Sequence, residues 1–212
     1  LGDVYKRQIS KDGKLTVSGS LTNSGTLNIE QDADESGSLI AKAASTPTIT
    51  LKKYLVGSQW TLIGIPVTGE IVNDIDDNLA TNSGKSAIGY WDNDKAGGAG
   101  WVTFNTGSTD GTELVNTRGY EIRASSDGSV SFTGTMLNSD LTNVAITTET
   151  SPGSNWNLVG NPYPSYVRMT DDSGDTTNNF LKVNASAIDD TAEAVYGLSL
   201  IHISEPTRLG FI

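Results

Sequence analysis

Apolar and polar residues alternate along most of the chain, and they almost nowhere recur at the three-to-four spacing of a helix. Runs of this kind at residues 48–55, 87–91, 100–104, 119–124, 129–134 and 143–147 read as strands, bounded by Gly, Asn, Ser and Asp. Asp127-Gly128 is a hairpin signal between two of them. Only residues 71–80 carry a pattern that suits a short turn of helix. Many short strands with frequent turns predict an all-β fold. The expected architecture is an antiparallel β-sandwich, jelly-roll-like, over residues 45–197.

A shorter rhythm occupies the N-terminal part. Gly-x-Leu occurs at residues 13–15, 19–21, 25–27 and 37–39, all in one six-residue register. The apolar positions Leu15, Val17, Leu21, Leu27, Ile29 and Leu39 alternate with polar ones. A fixed short period predicts stacked rungs of a β-helix or a meander, whereas Asn23-Ser24-Gly25 would equally suit the turn of an ordinary hairpin. Residues 9–44 are therefore expected to form a β-helix-like or hairpin stalk ahead of the sandwich.

A longer repeat spans the rest. Trp60-Thr61-Leu62-Ile63-Gly64-Ile65-Pro66 recurs 96 residues later as Trp156-Asn157-Leu158-Val159-Gly160-Asn161-Pro162. Each copy is followed by an aromatic strand, at 87–91 and 194–196, and Asp76-Asp77-Asn78-Leu79 has a loose counterpart in Asn178-Asn179-Phe180-Leu181. The pattern suggests a tandem duplication. In a strand, Trp and Leu of each copy share one face, and Gly-x-Pro ends it. Aromatics mostly serve packing, so the tryptophans are expected in the core.

Both extremities read differently from the middle. Residues 1–8 resemble a translated sequencing-library adapter, the transposon end, and residues 198–208 resemble its inverted copy, with index sequence following to 212. The expected organisation is thus adapter at 1–8, stalk at 9–44, a C-terminally truncated sandwich at 45–197, and adapter at 198–212.

Charge and composition narrow the chemistry. There are 14 Lys and Arg against 25 Asp and Glu, for a net charge of -11. That balance disfavours nucleic acid and anionic membrane surfaces, which need clustered cations. No apolar run approaches the roughly 18 residues of a membrane span, so no membrane insertion is expected. Cysteine is absent, which removes disulfides, thiolate metal sites and cysteine nucleophiles. The single histidine, His202, falls in the C-terminal adapter-like segment, so no histidine-based triad or general base is expected.

At the level of segment order the chain resembles the secreted surface proteins of Bacteroidota exported by type IX secretion. The resemblance rests on residues 37–40, 60–67, 87–92, 118–123 and 130–135, and above all on Asn-Trp-Asn-Leu-Val-Gly-Asn-Pro-Tyr-Pro-Ser at 155–165. It implies an extracellular or outer-surface location and a module near the C-terminus of a larger protein, ahead of a sorting domain. It brings no catalytic residues.

Three chemistries are open to these side chains. Carboxylate clusters at Asp74/Asp76/Asp77, Asp92/Asp94, Asp171/Asp172/Asp175 and Asp189/Asp190 sit in Gly/Asn/Ser-rich stretches and read as solvated turns, not as the opposed pair of a glycosidase. Calcium is the one cofactor to consider, at Asp92-Asn93-Asp94 or at 171–175, although neither has EF-hand spacing. Carbohydrate binding would use Tyr90, Trp91, Asp92 and Asp94, with Trp101 nearby. Tyr90 and Trp91 are adjacent, so one faces the core and the other the surface. The expectation is a non-enzymatic extracellular structural or adhesion module, with surface glycans or cell-surface proteins as partners. Its alternative is a carbohydrate-binding accessory module of a secreted glycan-degrading enzyme.

Overall fold

In the computed structural model, residues 7–95, 98, 100–106, 113–146, 157–170 and 178–188 are described. The first described residues wind into a β-coil. Strands β1 (Arg7–Ile9), β3 (Leu27–Ile29) and β5 (Thr48–Leu55) lie parallel, side by side, while β2 (Lys14–Val17) and β4 (Ser38–Ala41) form a parallel pair of their own. A chain that alternates between two parallel sheets winds in rungs, and the hairpin alternative falls away. Leu15 lies opposite Leu39, so the Gly-x-Leu copies at Gly13 and Gly37 stack in register. The copy at Gly19 forms no strand.

β5 belongs equally to the sandwich. One edge pairs with β3; the other pairs antiparallel with β12 (Gly128–Met136), to which β7 (Val67–Thr68) adds, giving the order β1-β3-β5-β12-β7. A second sheet has the order β10 (Gly100–Asn105), β9 (Lys85–Asp92), β11 (Tyr120–Ile122), β6 (Thr61–Ile63), with β8 (Thr81–Asn82) paired to β9. The short helix α1 (Val72–Ile75) and a 3-10 turn (Asp76–Asn78) connect β7 to β8 and lie against β12, within the stretch where the sequence suggested helix. The fold is all-β and sandwich-like, preceded by β-helix-like rungs.

Period-two alternation explains the core. On β5, Ile49, Leu51 and Leu55 are buried; on β12, Val130, Phe132 and Met136; on the second sheet, Ile63, Ile88, Tyr120 and Ile122. Ile9, Leu27, Ile29 and Leu39 of the rungs join this same cluster, so the core runs unbroken past residues 44–45. The side chain of Asn138, just after β12, fastens that junction. Its Oδ1 accepts from the Ser45 amide at 3.3 Å and its Nδ2 donates to the carbonyls of Ala41 and Ala43.

Residues 161–165, at the end of the string that most marks the family resemblance, form a clasp. Asn161 Oδ1 accepts from the Tyr163 amide at 3.0 Å, and its Nδ2 donates to the Ser165 carbonyl at 2.7 Å. The loop so formed presents the Pro164 carbonyl to the Leu39 amide at 2.8 Å, while the Tyr163 hydroxyl donates to the Ser139 carbonyl at 3.0 Å. This segment is thereby tied to β4.

The two long repeats meet. β6, in the first copy, pairs with β11, and Val159 of the second bridges Arg118 just before β11. A Cβ on Gly64 would lie 2.5 Å from the Asn161 nitrogen, and one on Gly160 would lie 2.4 Å from the Arg118 oxygen. Only glycine permits this backbone crossing.

Three local expectations differ from the structure. Residues 143–146 form no strand: Asn143 has φ +57°, which breaks an extended run, and Val144 and Ile146 are exposed. Asp127-Gly128 joins strands of different sheets and is no hairpin turn; the Asp127 carboxylate instead accepts from the Gly57 amide at 2.7 Å. Trp60 is 51% exposed, because the buried parity in its segment belongs to Ile63, Ile65 and Val67.

Candidate functional site: the outer face of the second sheet

Strand register fixes which side chains share the solvent-facing side of the second sheet. Trp101 lies directly opposite Trp91, and one pair along, Thr103 opposes Gly89. Gly89 opposes Glu121, which opposes Leu62. Alternation adds Arg123, two residues beyond Glu121, and Trp60, which directly precedes β6 and has the parity of Leu62. Two aromatic ends thus flank a centre that holds one acid and one base.

The tryptophan pair is held from its turn. The rings meet edge to face, with centroids 5.6 Å apart and an interplanar angle of 81°, so they do not form a coplanar platform. Both are half-buried. Trp91 Nε1 donates to Asn93 Oδ1 at 2.7 Å, and the Lys95 ammonium donates to the Trp101 carbonyl at 2.6 Å. Asp92 Oδ1 accepts from the Asp94 amide at 2.9 Å, the self-capping turn that Asp favours. Asp92 and Asn93 therefore commit oxygens to the turn itself. Among the described residues no group of three or more His, Asp or Glu side chains is placed to hold a metal ion. The other calcium candidate, 171–175, lies outside the described residues, as do Trp156, Asp189 and Asp190.

Tyr90 points the other way. Its ring packs on Phe104 and Tyr120, with centroids at 6.0 and 6.4 Å, and the Arg118 guanidinium lies 4.1 Å above it. Of the five candidates, Trp91 and Trp101 share the outer face, Asp92 and Asp94 form the adjoining turn, and Tyr90 closes the core beneath.

Sequence reasoning overlooked Glu121, Arg123, Leu62 and the outward position of Trp60. The signal was present in Tyr-Glu-Ile-Arg-Ala at 120–124, where Glu and Arg occupy the polar parity of a strand. Partial burial raises the Glu121 carboxyl above the ordinary range. The Arg123 Nε is buried and has no hydrogen-bond partner in the protein. A shallow depression elsewhere, between β4 and the 163–165 clasp, is lined by Leu39, Met136 and Tyr163 and offers no cluster of ionisable groups.

A family model described as a domain of unknown function (DUF8693) matches residues 6–196. No curated protein and no solved structure matches the chain.

Proposed function

The chain belongs to the DUF8693 family, and we propose that it is a non-enzymatic display or adhesion module of a secreted or outer-surface protein. One observation carries the reading: stacked rungs pass into the sandwich through the shared strand β5 and share its core, so rungs and sheets are packed as one piece. Such a piece can hold its outer face away from whatever bears the rungs. The resemblance to exported Bacteroidota proteins supports an extracellular setting, and the acidic balance supports partners other than nucleic acid. The buried Glu70 carboxylate accepts from the Thr133 amide, a structural use of that group.

The test is a pair of measurements on the purified chain. Beads coated with it should be retained on polysaccharide-rich bacterial surfaces, and chromogenic glycoside, ester and peptide substrates should be left intact. Turnover that disappears in Glu70→Gln or Glu121→Gln would overturn the non-enzymatic reading.

A further inference from the structure

We infer that the outer face of the second sheet binds a neutral polysaccharide chain, with Trp91, Trp101 and Trp60 as apolar contacts and Glu121 and Arg123 as hydrogen-bonding groups. The inference rests on the display reading and names the partner for it.

Strands in a sheet lie about 4.8 Å apart and alternate residues on one strand about 6.7 Å apart. Trp60, beside β6, and Trp91, on β9, are separated by β11 and differ by two rows, so they stand roughly 15 Å apart across the face, the reach of a few sugar rings. Glu121 and Arg123 lie between them, on β11 and just beyond its end. A sugar ring offers an apolar C–H face and a rim of hydroxyls, and that is what aromatic side chains beside a paired acceptor and donor satisfy. The carboxylate accepts from hydroxyls; the guanidinium donates to them. No ion pair joins these two side chains, so neither is occupied by the other (the salt bridges among the described residues involve Lys11 and Lys52). The Nε of Arg123 is buried beneath this face without a protein partner, so the donor role falls to the terminal nitrogens of the guanidinium.

Charge selects a neutral chain over an acidic one. The protein carries a net charge of -11, and a polyanion laid on it would be repelled over a Debye length. The tilt of Trp91 against Trp101 further disfavours a flat crystalline surface, which needs coplanar rings. A single soluble chain can follow a twisted sheet.

Affinity electrophoresis of the full chain through gels containing hydroxyethylcellulose, xylan, mannan or laminarin tests this, with alginate as the anionic comparison. At least one neutral polymer should retard the protein. Trp91→Ala and Trp101→Ala should each weaken that retardation by about tenfold, as expected for removing a central aromatic anchor. Trp60→Ala and Glu121→Gln should weaken it less. Because Trp91→Ala could loosen the hairpin, Trp60→Ala, which alters an exposed ring, is the second variant, and circular dichroism checks the fold of each. Retardation by alginate alone, or by no polymer, overturns the inference. So does retardation that all four variants preserve. Bead adhesion that persists while the gels show nothing would overturn the polysaccharide and leave the display reading standing.

Discussion

Two ionisable side chains are almost fully buried. Lys53 lies on the inward parity of β5 between Leu51 and Leu55, with 6% of its surface exposed, and burial pushes its ammonium down to about 8. Glu70 is 2% exposed; burial pushes its carboxyl up to about 7, against the opposing pull of amides from Thr133 and Ile71. Glu70 nonetheless has a structural task, since its carboxylate accepts from the Thr133 amide just past the two residues through which β7 pairs with β12. The folded state favours protonated Glu70, so its contribution to stability is greatest below the unfolded value near 4.5 and is lost as pH rises through about 7. Glu70→Gln should flatten that decline, which is worth about 3 kcal/mol at most. Thermal melts between pH 4.5 and 8 read it directly; an unchanged slope would contradict the assignment. Lys53 works in the opposite sense. Its charged form is penalised below about 8, and that penalty fades as pH rises towards the ordinary value of 10.5. Lys53→Met should raise the melting temperature most at pH 7 and least near pH 10.5.

At the scale of elements, the crossing of the two long repeats decides how the second sheet ends. Gly64→Ala and Gly160→Ala each force a methyl against backbone atoms and should cost about 1–3 kcal/mol in denaturant unfolding. Because both open the same crossing, the double variant should lose less than the sum. Gly19→Ala, with nothing within 4 Å of its Cβ, is the neutral comparison. The repeat itself was legible in the sequence; its glycines' mutual contact was not, since period and motif report which residues recur and not which copies touch. Strand identity was similarly legible at residues 48–55, 87–91, 100–104 and 129–134, where alternation and β-branched residues agree. It failed at 143–146, where alternation persists without a partner strand, and at Asp127-Gly128, where a turn-forming pair joins different sheets.

For the whole molecule, the question is whether rungs and sandwich are one folding unit. β5 pairs with β3 and β12 at once, and rung residues share the sandwich core. Melting of the full chain should therefore show one transition. A chain starting at residue 45 should fail to fold cooperatively, because it strips one edge of β5 and uncovers Ile49 and Leu51. Two separable transitions, or a stable truncated chain, would show that the stalk is an independent unit.

Some properties are set by the residues alone. Period-two alternation marks most of the strands, the absence of Cys removes thiol chemistry, and surplus acid disfavours polyanions, because each depends on composition or near neighbours along the chain. Which parity of a strand faces inward depends on what covers it, so Trp60 turned outward and Lys53 inward only once the sheets were stacked. Rungs in place of hairpins, and the gathering of Trp91, Trp101, Glu121 and Arg123 on one face, likewise come from pairings between distant segments. Register, which no local pattern encodes, is what set them side by side.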